Sequence, residues 1–244
     1  QALGGFYKTQ DEVRPLIYRH FAKQDAVGDY CVCDPCAGEG EAVIEAVNHI
    51  FGPLKDRRRP VFGGVSLVMV ELEEERYRRA DSAAWGCSDL RQARRGDGLC
   101  CDASGAGCSL LWLNPPYDFF RGQRFEARFL DAWTPRIVGG GCLVLIVPEH
   151  ALPYLAATLT TWFDDLAVLR YPEPTYSEFK QVVVLGRKRT LAGVAGPLPS
   201  IGNLSDEPLA LRVVPHGALT VDVNALDVAA LRAATTPWGG QAGY

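Results

Sequence analysis

The chain has 244 residues, is 48% hydrophobic and 22% charged, and carries a formal charge of −4. That is enough apolar sequence for a full core, in one large domain or one domain with a modest appendage. The acidic balance excludes a uniformly basic nucleic-acid coat, and no run of eighteen apolar residues is present to span a bilayer as a helix.

In chain order, residues 10–24 place Val13, Leu16, Ile17 and Phe21 on one helical face, with Pro15 tolerable only in the first turn. YCVC (30–33) reads as a buried strand, DPCAGEG (34–40) as a tight loop, and 41–51 as a helix with Val43, Ile44, Val47, Ile50 and Phe51 inward. A polar stretch, 52–64, leads to a second strand, VSLVMVE, ending at Glu71, and then to an Arg-rich helix. SLLWLN (109–114) and GCLVLIVP (141–148) are further apolar strands, and LAVLRY (166–171) with KQVVVLG (180–186) form a closing pair. Apolar strands alternating with helices imply a mostly parallel sheet covered on both faces. Beyond residue 190 the sequence turns Pro- and Gly-rich, leaving a strand-like pair (LALRVV, LTVDV) and one short helix (ALDVAALRAA). The reading is therefore a 1–189 main domain and a 190–244 appendage of uncertain fold.

Eight cysteines read as reduced thiols filling the core of a cytoplasmic protein. Cys33 and Cys36 have zinc-site spacing but lack a second ligand pair, so no metal is expected. Basic residues cluster at 55–59, 76–79, 91–95 and 121–128, each of which reads as a solvated face unless several share one surface.

Four segments carry chemistry. In DPCAGEG, Gly38 and Gly40 permit a turn in which backbone approaches a nucleotide-like ligand, and the Gly-Lys-Ser/Thr ending of a phosphate loop is absent. Glu71 ends the next strand, where a carboxylate can accept hydrogen bonds from both hydroxyls of a ribose. It lies 31 residues beyond Gly40, so 52–64 is read as an insertion. Asp97, in RRGDGL, suits an adenine amino group or a simple Gly-Asp-Gly turn. Asn114-Pro115-Pro116-Tyr117 follows an apolar strand directly. An amino group conjugated to a ring or carbonyl is a poor nucleophile because its lone pair is delocalised. The Asn114 side-chain oxygen and the Pro115 carbonyl can accept its two hydrogens and aim the lone pair at an incoming methyl group. Proline rigidity keeps these acceptors preorganised, and Tyr117 supplies a flat face for stacking.

Together, DPCAGEG, VELEEER, RRGDGL and NPPY resemble the class I S-adenosylmethionine-dependent methyltransferases that modify amino groups, above all DNA adenine-N6 and cytosine-N4 enzymes. The resemblance covers residues 4–187, and extends to a group of bacterial and mobile-element methyltransferase-like proteins through FKQVVVLGRK. The opening GGFYKTQ is similar to a Tyr-x-Thr-Pro cofactor motif with Gln10 in place of proline. The resemblance implies a seven-stranded Rossmann-like sandwich with one antiparallel strand near an edge. It implies S-adenosyl-L-methionine held by Tyr7, Thr9, Asp34, Pro35, Ala37, Gly38, Gly40, Glu71, Asp97 and Asn114. Catalysis falls to Asn114, Pro115, Pro116 and Tyr117, and substrate contact to Tyr117, Arg121 and Arg124. The expected partner is nucleic acid, DNA before RNA, with adenine N6 as acceptor. An RNA base, a protein glutamine amide or a silent cofactor-binding module are the alternatives. Selectivity would rest on loops after Tyr117, the 172–180 tip or the 190–244 segment.

Overall fold

The structure, a computed structural model, describes residues 7–25, 28–53, 63–85, 90–104, 107–120, 122–216 and 219–223. The strands are β1 (Gly28–Asp34), β2 (Gly63–Glu71), β3 (Leu90–Arg95), β4 (Cys101–Ser104), β5 (Cys108–Leu113), β6 (Phe119–Phe120), β7 (Gln123–Arg124), β8 (Ile137–Pro148), β9 (Phe163–Arg170), β10 (Gln181–Lys188), β11 (Ile201–Asn203) and β12 (Thr220–Val223). The helices are α1 (Arg14–Tyr18), α2 (Glu41–Phe51), α3 (Glu74–Ala83), α4 (Phe125–Trp133), α5 (Leu152–Trp162) and α6 (Thr175–Phe179).

Eight strands form one sheet in the order β11-β9-β10-β8-β5-β1-β2-β3. Strands β3, β2, β1, β5 and β8 run parallel, and β10 runs antiparallel between β8 and β9. This is the Rossmann-like arrangement the motifs implied, with one strand more, because β11 adds in parallel to β9. Alternate residues of each central strand enter opposite layers, which is the period of a pleated strand buried on both faces. Val32, Leu67, Leu110 and Val144 meet α1 and α2 through Ile17, Val43, Val47 and Ile50. Cys33, Val68, Leu111 and Leu143 meet α4 and α5 through Leu130, Trp133, Leu155 and Leu159.

Three sequence expectations change. The 10–24 helix shortens to α1, which starts at Pro15's first turn and stops where the chain leaves for a bridge between Phe21 and Leu211. RQARR, read as a basic surface cluster, lies in β3 at the sheet edge, where the exposed Arg94 and Arg95 discourage pairing with another chain. The 189/190 boundary does not divide the packing. Leu204, Leu211 and Val213 sit in the same core layer as α1 and α2. Gln24 makes a reciprocal pair of hydrogen bonds with the Val213 backbone. LALRVV contributes that bridge rather than a strand, while LTVDV supplies β12, which pairs with β4. The 225–234 helix expectation lies outside the described residues.

Among the described residues no helix is long and apolar enough to cross a membrane, and no group of three or more Cys, His, Asp or Glu is placed to hold a metal ion. The seven described cysteines are free thiols.

Candidate active site

The parallel strands bring four sequence segments to one sheet edge. β1 ends at Asp34, whose carboxylate accepts the Cys36 backbone N–H at 3.1 Å and sets the first turn of the loop. Asp34 is buried, and that burial raises its pKa to about 7 against the opposing Cys36 hydrogen bond, with help from the Glu71 charge. Gly38 and Gly40 have φ of 57° and 80°, the left-handed region that favours glycine. A Cβ on Gly40 would also stand 3.0 Å from the Met69 sulfur and 3.2 Å from the Ala80 Cβ. The loop therefore needs glycine at residue 40 for both conformation and helix packing.

Glu71, at the end of β2, is buried and holds the loop from its neighbour strand. One carboxylate oxygen accepts the Gly38 N–H at 2.8 Å, and the other accepts the Glu73 N–H at 2.9 Å and the Arg76 guanidinium at 2.9 and 3.1 Å. Asp97 follows β3 and caps its own turn by accepting the Leu99 N–H at 2.9 Å. Gly98 packs beneath the first loop so tightly that a Cβ there would lie 2.1 Å from the Pro35 carbonyl oxygen. Trp133 ties the same turn down through its Nε1–H to the Gly98 carbonyl at 2.9 Å.

Asn114 leaves β5 beside this loop, and its backbone hydrogen-bonds the Cys36 thiol. Its side-chain amide donates to the Tyr7 carbonyl at 2.7 Å and to the Thr9 hydroxyl at 3.2 Å. Its Oδ1 accepts the Tyr117 hydroxyl at 2.6 Å. One cleft is lined by Tyr7, Thr9, Asp34, Ala37, Gly40 and Asn114, all of them expected cofactor contacts. Four other expected contacts, Pro35, Gly38, Glu71 and Asp97, are not part of that lining, and Glu71 reaches it only through its bond to the Gly38 N–H.

The acceptor side departs from expectation. Tyr117 was to offer a free ring face, but Tyr7 stacks on it with centroids 4.7 Å apart and planes at 16°. Arg124 was to meet phosphate. It is 6% exposed, its guanidinium pairs with fully buried Glu126 at 2.6 Å, and Phe119 and Tyr154 pack over it. A buried ion pair at the start of α4, with two guanidinium N–H groups on one Glu126 oxygen, thus replaces a phosphate contact. Arg121 lies outside the described residues. The Arg-rich segment after Glu71 is likewise matched by carboxylates at the same edge: Arg76 with Glu71, Arg78 with Glu74, Arg79 with Glu39, and Arg95 with Glu74.

Two further features escape a reading of motifs. Arg14, 7% exposed, bonds Glu41 and Glu45 of α2, and Lys8 pairs with Glu41 at 2.7 Å, so the N-terminal segment is strapped over the loop. Gln181, the first residue of β10, is 2% exposed and donates through Nε2 to the Tyr117 hydroxyl at 3.0 Å. Its one visible signal is a lone polar residue opening the apolar run QVVVLG.

A profile described as an uncharacterised methyltransferase family (DUF6094) matches residues 2–214. No curated protein matches the sequence. Among solved structures, a proposed class I S-adenosylmethionine-dependent methyltransferase of Listeria monocytogenes aligns at 14% identity and TM-score 0.60, over 80% of this chain and 64% of its own. The methyltransferase subunit of a type I restriction-modification system from Streptococcus thermophilus aligns at 16% identity and TM-score 0.54, over 78% and 46%. The M protein of the type I restriction enzyme EcoKI aligns at 20% identity and TM-score 0.55, over 77% and 45%. The chain thus spans less than two thirds of the first and less than half of the other two. At these identities the likeness is one of fold.

Proposed function

The chain belongs to this methyltransferase family, and from that premise we propose that it transfers a methyl group to an exocyclic amino nitrogen, with adenine N6 of DNA as the acceptor. S-adenosyl-L-methionine is the cofactor that family and fold imply. The donor set suits it: carboxylates stand at or just beyond the ends of three neighbouring parallel strands, at Asp34, Glu71 and Asp97, beside a loop of left-handed glycines. A ribose diol, an ammonium group and an adenine amine all ask for acceptors of that kind. When bound, the cofactor supplies an activated methyl group on a sulfonium. The chain's own residues bind it and prepare the nucleophile.

The observation that carries the reading is the orientation of Asn114. Both donor contacts of its amide nitrogen point to the N-terminal strap, so its oxygen is turned to the other side, towards Tyr117. An amide oxygen has two lone pairs. One takes the Tyr117 hydroxyl, and the second is available to an amino hydrogen of the acceptor. The Pro115 carbonyl is the partner for the other hydrogen. Held in this way by Asn114 and Pro115, the acceptor's amino group would have its lone pair drawn out of conjugation and turned towards the methyl group that the cofactor would supply. A base within a duplex reaches such a site only by leaving the stack.

The restriction-modification subunits share this fold, and a DNA acceptor is the reading carried over from them and from NPPY. One observation favours a second acceptor, a protein glutamine amide. Four arginines near the cofactor edge, Arg76, Arg78, Arg79 and Arg95, are paired with carboxylates, which leaves that edge less charge for a nucleic-acid backbone. Purified protein with isotopically labelled cofactor, offered DNA, RNA and cell extract and followed by mass spectrometry, separates these readings. N6-methyldeoxyadenosine is the expected product. Label confined to RNA or to protein glutamine overturns the DNA acceptor and leaves the methyl transfer reading standing.

A further inference from the structure

We propose that Gln181 is a positioning residue for the Asn-Pro-Pro-Tyr site, acting through a one-directional hydrogen-bond relay from Gln181 Nε2 to the Tyr117 hydroxyl to Asn114 Oδ1. The inference rests on Asn114 being the group that receives the acceptor's hydrogen, and adds the element that keeps its oxygen in place.

The direction of the relay follows from its far end. Asn114 Nδ2 lies 2.7 Å from the Tyr7 carbonyl oxygen, an atom that can only accept. The amide nitrogen must therefore face the strap, and Oδ1 must face Tyr117, 2.6 Å away. An amide oxygen cannot donate, so the Tyr117 hydroxyl is the donor in that contact. Having given its single hydrogen to Asn114, the hydroxyl can only accept from the group on its other side. That group is Gln181, 3.0 Å away, and its NH2 end is the one that meets this demand. The amide orientation of Gln181 is thus set by Tyr7, two side chains distant. The competing acceptor for the hydroxyl, the Ile146 carbonyl, is farther at 3.4 Å.

Burial gives the relay its stiffness. Gln181 is 2% exposed at the start of β10, where the antiparallel ladder pairs it with Pro148 of β8. Among the described residues Gln181 Oε1 has no hydrogen-bond partner, and a buried acceptor left unpaired carries a cost. Valines fill the next three positions of the strand. A glutamine held there with half of its amide unsatisfied serves its donor end. Without that donor the Tyr117 hydroxyl gains freedom to turn to Ile146, and Asn114 Oδ1 loses the contact that points it at the reacting nitrogen.

The test compares Gln181→Met, Tyr117→Phe and the double variant. With ¹³Cζ-labelled tyrosine, the NMR resonance missing from Tyr117→Phe identifies Tyr117, and it shifts in Gln181→Met without any acceptor present. That readout is independent of whether DNA is the substrate. On the acceptor found by the labelled-cofactor assay, Gln181→Met lowers kcat by about ten- to hundredfold with KM and S-adenosylhomocysteine affinity unchanged. Adding Gln181→Met to Tyr117→Phe lowers kcat no further. A Tyr117 resonance that stays in place, or losses that simply multiply in the double variant, overturns the relay. Should Gln181→Met not fold, Gln181→Glu retains the polar contact but offers an acceptor when ionised. The same resonance must then move, and the relay is equally overturned if it does not.

Discussion

Asn114, Glu71, Arg124 and Asp34 are polar groups whose roles are decided by what each already holds. Asn114→Ala removes the acceptor proposed to matter most as positive charge develops on the attacking nitrogen, so kcat falls by about 10²–10³, well beyond the loss of S-adenosylhomocysteine affinity that follows from releasing Tyr7 and Thr9. Calorimetry beside a single-turnover assay reads both. Glu71→Ala loses the carboxylate that holds the Gly38 N–H and Arg76 and is proposed to take the ribose hydroxyls. Its cofactor affinity drops by roughly ten- to hundredfold. An unchanged affinity would place the ribose elsewhere. Arg124→Ala strands Glu126, fully buried and with one oxygen already lacking a partner. Breaking one side of a buried pair costs about 3–5 kcal/mol, so urea unfolding shows the loss, and the salt dependence of any nucleic-acid binding does not change. Folding raises the Asp34 pKa from 3.8 to about 7. The folded state therefore holds this proton more tightly than the unfolded chain. The resulting stability is complete below pH 3.8 and is lost as pH rises to about 7. Asp34→Asn removes that downward slope, which urea midpoints measured from pH 4 to 8 will show.

At the scale of elements, the loop after β1 is the most exacting. Gly40→Ala forces a left-handed residue to carry a Cβ against Met69 and Ala80, a strain of about 1–3 kcal/mol. Thermal unfolding should register it, and cofactor affinity should fall with it because α2 starts at the next residue. DPCAGEG and NPPY were legible because each is contiguous and ends an apolar run. A strand edge was expected at Asp97, but the span of β3 was not legible, because an edge strand can carry arginines where a central one cannot. Gln181 was equally hidden. A polar residue at a strand start is commonplace in sequence, and only the antiparallel return of β10 beside β8 brings it to Tyr117.

For the whole molecule, the segment beyond residue 190 belongs to the packing of the sheet. Leu204 is fully buried in the core layer that also holds the apolar faces of α1 and α2. Leu204→Ala should cost about 2–5 kcal/mol, a large share of the roughly 5–15 kcal/mol that holds a domain together. Truncation after residue 189 should leave a chain unable to fold cooperatively, as loss of a sigmoidal unfolding transition would show. The sequence by itself determined the apolar strands, the glycine loop and the Asn-Pro-Pro-Tyr tetrapeptide, since each depends on neighbours within a few residues. Tertiary structure alone decided which charges remain available. It joined Gly38 to Glu71 across 33 residues, Asn114 to Tyr7 across 107, and Val213 to Gln24 across 189. The periodicity of apolar residues reports which face of an element is buried. It carries no record of which polar groups that burial brings into contact, so the pairing of the arginines and the polarity at Asn114 emerge only once the strands lie side by side.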